Sequence, residues 1–296
     1  MSAVALALAA CASFTGALAA VFQSRGTKSV TAPASNGIVL LLSLVRSRIW
    51  LLGIAFAGVS GLFHALALDR GSLIEVESVM VTSLLFALAL GIVVSRAPVS
   101  RRDWAGAAAT ILGLVAFLSF ADPEDGDYSV PASRWIVVLA VLVVLVVLLV
   151  VVAHHSNRPN VRASVFATAA AVCLGTSAVL LKVLTATLHT HGPLVTLAAF
   201  LALLGLFELG ALVFQQMAFR SGDLAAALAP FVGGNPMIAG AVGIVLFGER
   251  FHHGAGDLLG ATAGIAIVVG GIAVLASSPL VAAGTGDEEG SRPAQV

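Results

Sequence analysis

The sequence predicts an all-α polytopic membrane protein of about nine transmembrane helices, and three observations support this fold class. Hydrophobic residues make up 59% of the chain and charged residues only 10%, whereas a water-soluble domain carries about 25% charged residues. Apolar stretches long enough to cross a bilayer as helices recur along the chain. The basic residues between these stretches collect on one side of the membrane so defined, as the positive-inside rule requires.

Nine predicted spans follow one another along the chain. They cover residues 2–22, 50–68, 73–94, 104–120, 135–153, 163–188, 193–219, 224–247 and 255–275. The first is expected to be a retained span rather than a cleaved signal peptide, because no basic residue precedes its apolar run. Residues 38–45 are apolar but too few to cross, and Arg46 and Arg48 follow them. This stretch is predicted to be an interfacial helix at the inner surface.

The basic residues predict an outside N-terminus and a cytoplasmic C-terminus. With this orientation eleven basic residues lie inside and three outside. The inner set is Arg25, Lys28, Arg46, Arg48, Arg96, Arg101, Arg102, Arg158, Arg162, Arg220 and Arg292, and the outer set is Arg70, Arg134 and Arg250. The expected location is the cytoplasmic membrane, and the polar tail 278–296 is predicted to be disordered in the cytoplasm.

The fifth span divides the chain into four spans, one linker and four spans. It contains only valine, leucine, isoleucine, alanine and one tryptophan, whereas most other spans are rich in small residues. Small residues allow close helix packing, as in the Gly256-xxx-Gly260-xxx-Gly264 pattern of the ninth span. The fifth span is therefore predicted to be a lipid-exposed connector. The expected units are 1–133 (with a basic inner loop 23–49), the linker helix 134–160, the second repeat 161–277 and the tail.

A weak internal likeness supports this division. The segment GLFHALALDRGSL (61–73) aligns with LVFQQMAFRSGDL (212–224), which places Gly71 with Gly222 and His64 with Gln215. The two segments end the second and the seventh spans, so the repeating unit contains an odd number of spans. The two copies would therefore insert in opposite directions. The pattern predicts an inverted repeat, with a solute site at the interface of the two halves.

The eighth span, LAAALAPFVGGNPMIAGAVGIVLF, is the stretch around which the site is predicted. It contains Pro230, the Gly233–Gly234 pair and Asn235–Pro236 near its centre. Each proline lacks an N–H and crowds the carbonyl four residues back, which leaves the carbonyls of Ala226 and Val232 without their usual donors. A helix broken at mid-membrane depth would line a solute site. The alternative is a kinked helix whose freed carbonyls are satisfied by neighbouring helices.

Glu208, in the middle of the seventh span, is the deepest ionisable residue. Such a group inside a membrane is costly and is therefore a candidate site. It is expected either to bind a proton or cation at a central cavity, or to be a protonated acid that is hydrogen-bonded to a neighbouring helix. Mg²⁺ needs only one or two carboxylates, so Glu208 with Glu75 or Glu77 could suffice.

Three kinds of residue nearer the outer surface are weaker candidates. Glu75 and Glu77 begin the third span and point to nearly opposite sides of a helix. Lys182 either snorkels to the interface or pairs with Glu208, Glu75 or an anionic solute. His64 is either a proton relay or a hydrogen-bonded packing residue.

The outer face also gathers Glu249, His252, His253 and Asp257. If residues 249–257 are helical, Glu249, His253 and Asp257 share one face, where imidazole and carboxylate groups could hold a transition metal. Solvated loop residues explain the pattern as well. No enzymatic motif and no cofactor-binding motif is found, and Cys11 and Cys173 lie within apolar spans, where a disulfide is not expected.

Short motifs resemble the drug/metabolite transporter superfamily, in its EamA-like group. They are WLLG (50–53), the ALALDRGSL turn (65–73) and FGER (247–250) at the end of the proline-containing span. The nine spans, the outside N-terminus and the basic first loop beginning FQSRGTK (22–28) are similar to the NIPA-like magnesium-transporter branch. The resemblance implies transport of a small solute, which in the superfamily is an amino acid, metabolite, drug, nucleotide sugar or Mg²⁺.

Two classes of function remain open. The first is a transporter of a metabolite or cation, and the second is a non-transporting membrane scaffold or accessory subunit. The expected partners are membrane lipid and a small-molecule or cation substrate, and a homodimer is left open. The net charge of zero gives no reason to expect a nucleic-acid partner.

Overall fold

The computed structural model describes residues 3–30, 37–68, 70, 76, 79–80, 82–95, 101–120, 130–189, 193–222, 224–247 and 255–276. Within these ranges the chain forms ten α-helices and no β-strand, which confirms the all-α class. In chain order the helices are α1 (Ala3–Ser29), α2 (Gly37–Leu44), α3 (Arg48–Leu68), α4 (Ser83–Ser95), α5 (Arg101–Phe120), α6 (Ala132–His155), α7 (Pro159–His189), α8 (Leu194–Ser221), α9 (Leu224–Phe247) and α10 (Ala255–Ala276).

Six of these helices are long and apolar enough to cross a membrane. They are α1, α3, α6, α7, α8 and α9, and two shorter apolar stretches, Trp104–Phe117 and Leu259–Gly271, lie in α5 and α10. The predicted third span, 73–94, is described only in part, as α4. The count of about nine spans and the inverted repeat therefore stay predictions. The predicted tail 278–296 lies outside the described residues.

The helices pack in distinct groups. α1 packs chiefly against α3, α5 against α10, and α7 against both α8 and α9. The first two spans of the first predicted unit, α1 and α3, are thus neighbours, and so are the first two spans of the second unit, α7 and α8. The last spans of the two units, α5 and α10, also pack against each other. This pairing is compatible with two related units on either side of α6.

Glycines allow the closest helix contacts. A Cβ on Gly264 of α10 would come within 2.6 Å of the Phe117 backbone nitrogen and 2.7 Å of the Gly113 carbonyl oxygen of α5. A Cβ on Gly260 would overlap the Phe120 ring, whereas Gly256 has nothing within 4 Å. The predicted role of this glycine pattern is confirmed for Gly260 and Gly264. Gly256 does not take part in the contact.

α6 is largely exposed along its length. Trp135, Val138, Leu142 and Ala153 are its buried residues, whereas most of its other valines and leucines are exposed. The exposure predicted for the fifth span is therefore observed. The helix predicted at 38–45 is also present, as α2, and it buries Leu40 and Leu44 completely.

α9 corrects the expectation of a broken helix. It is helical from Leu224 to Phe247, with Pro230 and Pro236 inside it. The Ala226 carbonyl, which Pro230 deprives of its usual donor, accepts a hydrogen bond of 2.9 Å from Ser164 Oγ of α7. A neighbouring helix thus supplies a donor for one of the two carbonyls that the prolines free, and the helix continues through Gly233 and Gly234.

Candidate functional site

Asn235 is a predicted site residue, and it lies at the middle of a described helix. It is the twelfth of the 24 residues of α9. Its side chain is partly buried, and its Oδ1 atom is fully buried and has no hydrogen-bond partner among the residues that the structure describes. Leaving a buried acceptor unsatisfied costs about 1–3 kcal/mol, so the burial of this amide oxygen destabilises the packing around it.

Close packing holds Asn235 in place. On the facing helix α7, a Cβ at Gly175 would come within 2.7 Å of the Asn235 carbonyl oxygen. A Cβ on Gly234 would come within 2.9 Å of Ala171 Cβ. The backbones of α7 and α9 therefore meet on either side of Asn235, and a side chain at Gly175 would force them apart.

Glu208 lies on the exposed face of α8 rather than in the interior. Its neighbours on the helix, Leu206 and Leu209, are 64% and 54% exposed. Glu208 itself is exposed, and one carboxyl oxygen, Oε1, lies 2.6 Å from Ser177 Oγ of α7. The structure thus places this carboxyl beside a neighbouring helix, and the choice between the two sequence interpretations stays a prediction.

The Ser177 hydroxyl has two partners. Its Oγ lies 2.8 Å from the Leu174 carbonyl oxygen as well as 2.6 Å from Glu208 Oε1. A hydroxyl group carries one hydrogen and can donate to only one acceptor at a time. The hydroxyl hydrogen of Ser177 therefore serves either the Leu174 carbonyl oxygen or Glu208 Oε1 at any one time.

Two other predicted residues, Lys182 of α7 and His64 of α3, are within the described structure. Lys182 is half-buried, with its Nζ 6.0 Å from the centre of the Phe247 ring. His64 is half-buried on α3.

Arg134 of α6 donates to the carbonyl oxygen of Leu246, at 3.2 Å, near the C-terminus of α9. A cation at this helix end complements the partial negative charge of its carbonyl groups.

Several candidates lie outside the described residues. They are Glu75, Glu77, Glu249, His252 and His253. Asp257 is half-buried in the first turn of α10. Among the described residues there is no group of three metal-ligating side chains, and the proposed outer metal cluster stays a prediction.

Gln216 of α8 is an interior residue that sequence reasoning missed. It is completely buried, and its Oε1 lies 2.9 Å from Thr27 Oγ1 and 3.0 Å from Trp50 Nε1. Its Nε2 donates to Gln23 Oε1 at 2.8 Å and, over a longer distance of 3.4 Å, to Gln215 Oε1. We call Gln23, Thr27, Trp50 and Gln216 the amide cluster.

The indole of Trp50 determines the orientation of both amides. An indole N–H can only donate, so the atom of Gln216 that faces it must be the oxygen. The Gln216 NH₂ group then faces the oxygen of Gln23, and the Gln23 NH₂ group faces the Gly53 carbonyl oxygen at 3.4 Å. The result is a directional chain of hydrogen bonds that joins α1, α3 and α8.

A sequence signal for the amide cluster exists. Gln216 stands within the apolar run LVFQQMAF, and Gln23 follows the apolar run of the first span. In hydrocarbon a buried amide needs partners, so two such amides are expected to find each other. The internal alignment considered Gln215, which is half-buried, and not Gln216.

The comparisons with known proteins add one relative. An uncharacterized protein of Corynebacterium glutamicum is 26% identical over 217 residues, which cover 72% of this chain and 73% of that protein. No protein-family model matches the chain, and no solved structure matches it significantly. The similarity extends over most of both chains, and the name of the relative states no activity.

Proposed function

We propose that this chain carries a small polar solute across the cytoplasmic membrane, as a transporter of the drug/metabolite type. The observation that carries the proposal is the buried Oδ1 of Asn235, at the middle of α9, which has no hydrogen-bond partner. A carrier tolerates such an atom because the solute satisfies it during each cycle. A purely structural helix would gain stability from an apolar residue of similar size.

The amide cluster supports the same proposal. A carrier with alternating access closes its solute path at one end while the other end is open. The cluster joins α1 and α3 to α8, at the end where α1 finishes and α3 begins. Arg25, Lys28 and Arg220 place this end on the predicted cytoplasmic side. We take the amide cluster as the closed inner end of the path.

The interior groups favour a solute that forms hydrogen bonds. Asn235 offers an amide, and Thr176 of the adjacent α7 is a buried hydroxyl residue that donates to the Val172 carbonyl oxygen at 2.7 Å. The magnesium alternative depended on Glu208 together with Glu75 or Glu77. Because Glu208 lies on the exposed face of α8, we give the polar metabolite precedence over the cation.

The test is uptake by proteoliposomes that contain the purified chain. The external solution is a mixture of amino acids, sugars and nucleosides, and mass spectrometry of the lumen identifies any solute that enters. Asn235→Leu is expected to lower uptake of that solute about tenfold, the effect of one lost hydrogen bond of about 1.4 kcal/mol. Its midpoint of thermal unfolding should stay the same or rise, because the unsatisfied acceptor is gone.

Thr262→Val is the matched control, since Thr262 is a polar residue on the exposed surface of α10. It should leave uptake unchanged. If the wild-type chain admits nothing from the mixture beyond empty liposomes, or if Asn235→Leu transports normally, the proposal fails. A membrane scaffold would then be the better interpretation.

A further inference from the structure

The junction of α6 and α7 carries an open groove that has no part in the proposed transport path. Its volume is about 550 Å³, and its lining consists of Val151, Val152, His155, Ser156 and Val161. Three of the five lining residues are apolar and two are polar. α6 is an apolar helix long enough to cross a membrane, and it ends at His155, so the groove lies where hydrocarbon gives way to headgroups.

Positive charge accumulates beside the groove. Arg158 lies two residues after the lining residue Ser156 and is exposed, and Arg162 comes directly after the lining residue Val161, so both arginines lie next to the lining in the chain without being part of it. The Arg162 N–H donates to the Arg158 carbonyl oxygen at 3.0 Å, which places the two arginines one helical turn apart on the same side. Arg162 Nε is buried without a hydrogen-bond partner. The sequence from 130 to 189 contains no aspartate or glutamate.

His155 adds a further polar group. Its Nδ1 lies 2.8 Å from the Val151 carbonyl oxygen, and because a carbonyl only accepts, Nδ1 must carry a hydrogen. In the neutral ring the other nitrogen, Nε2, is then a hydrogen-bond acceptor. One end of the groove thus combines an imidazole with the guanidinium groups that follow it in the chain.

An apolar surface continues from the other end of the groove. Val144, Val147 and Leu148, one and two turns back along α6, are 58%, 54% and 58% exposed. An apolar track that leads to a cationic rim at the membrane surface matches the shape of a phospholipid. A basic pocket between transmembrane helices is a common way to bind an anionic headgroup.

We propose that this groove binds one anionic phospholipid, with its phosphate at Arg158 and Arg162 and its acyl chains along the exposed valines of α6. In the predicted orientation the lipid belongs to the inner leaflet. The site is independent of the transport proposal, since lipid binding can be measured whether or not a solute moves.

The experiment uses the purified full chain in nanodiscs made from equal parts of phosphatidylcholine and phosphatidylglycerol. Native mass spectrometry then counts the lipids that stay bound after mild detergent extraction. Wild type should retain phosphatidylglycerol in preference to phosphatidylcholine. The double variant Arg158→Gln, Arg162→Gln should bind phosphatidylglycerol about 30-fold less tightly, and Arg158→Gln alone about fivefold less tightly.

Arg101→Gln, Arg102→Gln is the matched control, because it removes two exposed arginines from the start of another helix, α5. If both double variants lose the same affinity for phosphatidylglycerol, the effect comes from general surface charge, and the proposal is overturned. If Arg162→Gln impairs folding, the exposed Arg158→Gln still decides the question. An unchanged preference in Arg158→Gln would likewise overturn it.

Two further arms separate a lipid from a free anion. Val161→Trp fills the groove without changing the charge and should weaken retention of phosphatidylglycerol. Inorganic phosphate, added at millimolar concentration, should not displace the bound lipid. If phosphate displaces it completely, or if Val161→Trp has no effect, the groove is not a phospholipid site.

Discussion

At the scale of single residues, Gln216 shows how an amide is accommodated in an apolar helix bundle. Its oxygen faces two donors, Thr27 and Trp50, and its nitrogen faces the oxygens of Gln23 and Gln215. Every hydrogen-bonding position of the amide therefore has a partner. A buried polar network of this kind stabilises one arrangement of helices only while it is complete.

Gln216→Ala should lower the stability of the folded chain by about 3 kcal/mol, because it leaves a cavity and deprives the buried Trp50 N–H and the buried Gln23 side-chain oxygen of their Gln216 partner. Trp50→Phe removes the indole N–H together with part of a buried ring, and it should cost about 2 kcal/mol. Thermal unfolding in detergent measures both changes. Gln215→Ala is the control, since Gln215 is half-buried and makes only a long contact of 3.4 Å. A shift for Gln216→Ala no larger than that control would contradict the role of the network.

Comparison of Glu208 with Gln216 shows what the sequence could predict about the site. The spacing of charges singles out Glu208 as an unusual residue, and the structure does give it a hydrogen-bond partner on a neighbouring helix. The direction in which it points depends on the rotation of α8 about its axis. α8 is apolar on both its exposed and its buried sides, so no amphipathic pattern reveals that rotation.

At the scale of the helices, α9 depends on another helix for its continuity. Pro230 frees the Ala226 carbonyl oxygen, and Ser164 of α7 donates to it. The sequence of α9 by itself cannot distinguish a broken helix from a satisfied one, because the deciding hydroxyl lies 62 residues away in the chain. The apolar length of α9, in contrast, was predictable to the residue.

A double-mutant cycle tests this dependence. Ser164→Ala should destabilise the wild-type chain by about 1 kcal/mol, because the Ala226 carbonyl loses its donor. In a Pro230→Ala background the N–H of residue 230 bonds to that carbonyl, so Ser164→Ala should then cost less. Unfolding free energies of the four variants give the coupling between the two positions. A coupling of zero would show that Ser164 does not compensate for the proline.

The contact between α5 and α10 depends on glycine. Gly264→Val would bring a side chain against the Phe117 backbone nitrogen and the Gly113 carbonyl oxygen, neither of which can move without its helix. We expect a loss of stability of about 1–3 kcal/mol or more. Gly256→Val is the matched control, because nothing lies within 4 Å of its added Cβ. Equal unfolding temperatures for the two variants would refute the close contact.

At the scale of the whole molecule, the orientation follows from the distribution of basic residues, eleven against three. We expect the end of α1 to be cytoplasmic and the start of α6 to be outside. In a chain with Cys11 and Cys173 replaced by alanine, an impermeant thiol reagent applied to intact cells should label Ser133→Cys and not Ser29→Cys. Both positions are exposed. The reverse pattern would invert the orientation of the chain.

The pairing of α5 with α10 also has a consequence for biosynthesis. α10 begins at Ala255, about 135 residues after α5 ends at Phe120. At a synthesis rate of roughly 5–20 residues per second, α5 waits about 7–27 seconds for the helix that covers its glycine-lined surface. During that interval the nascent chain presents an incomplete bundle to chaperones and to membrane proteases. If synthesis stops before α10, the truncated chain therefore lacks the main packing partner of α5, its fourth predicted span.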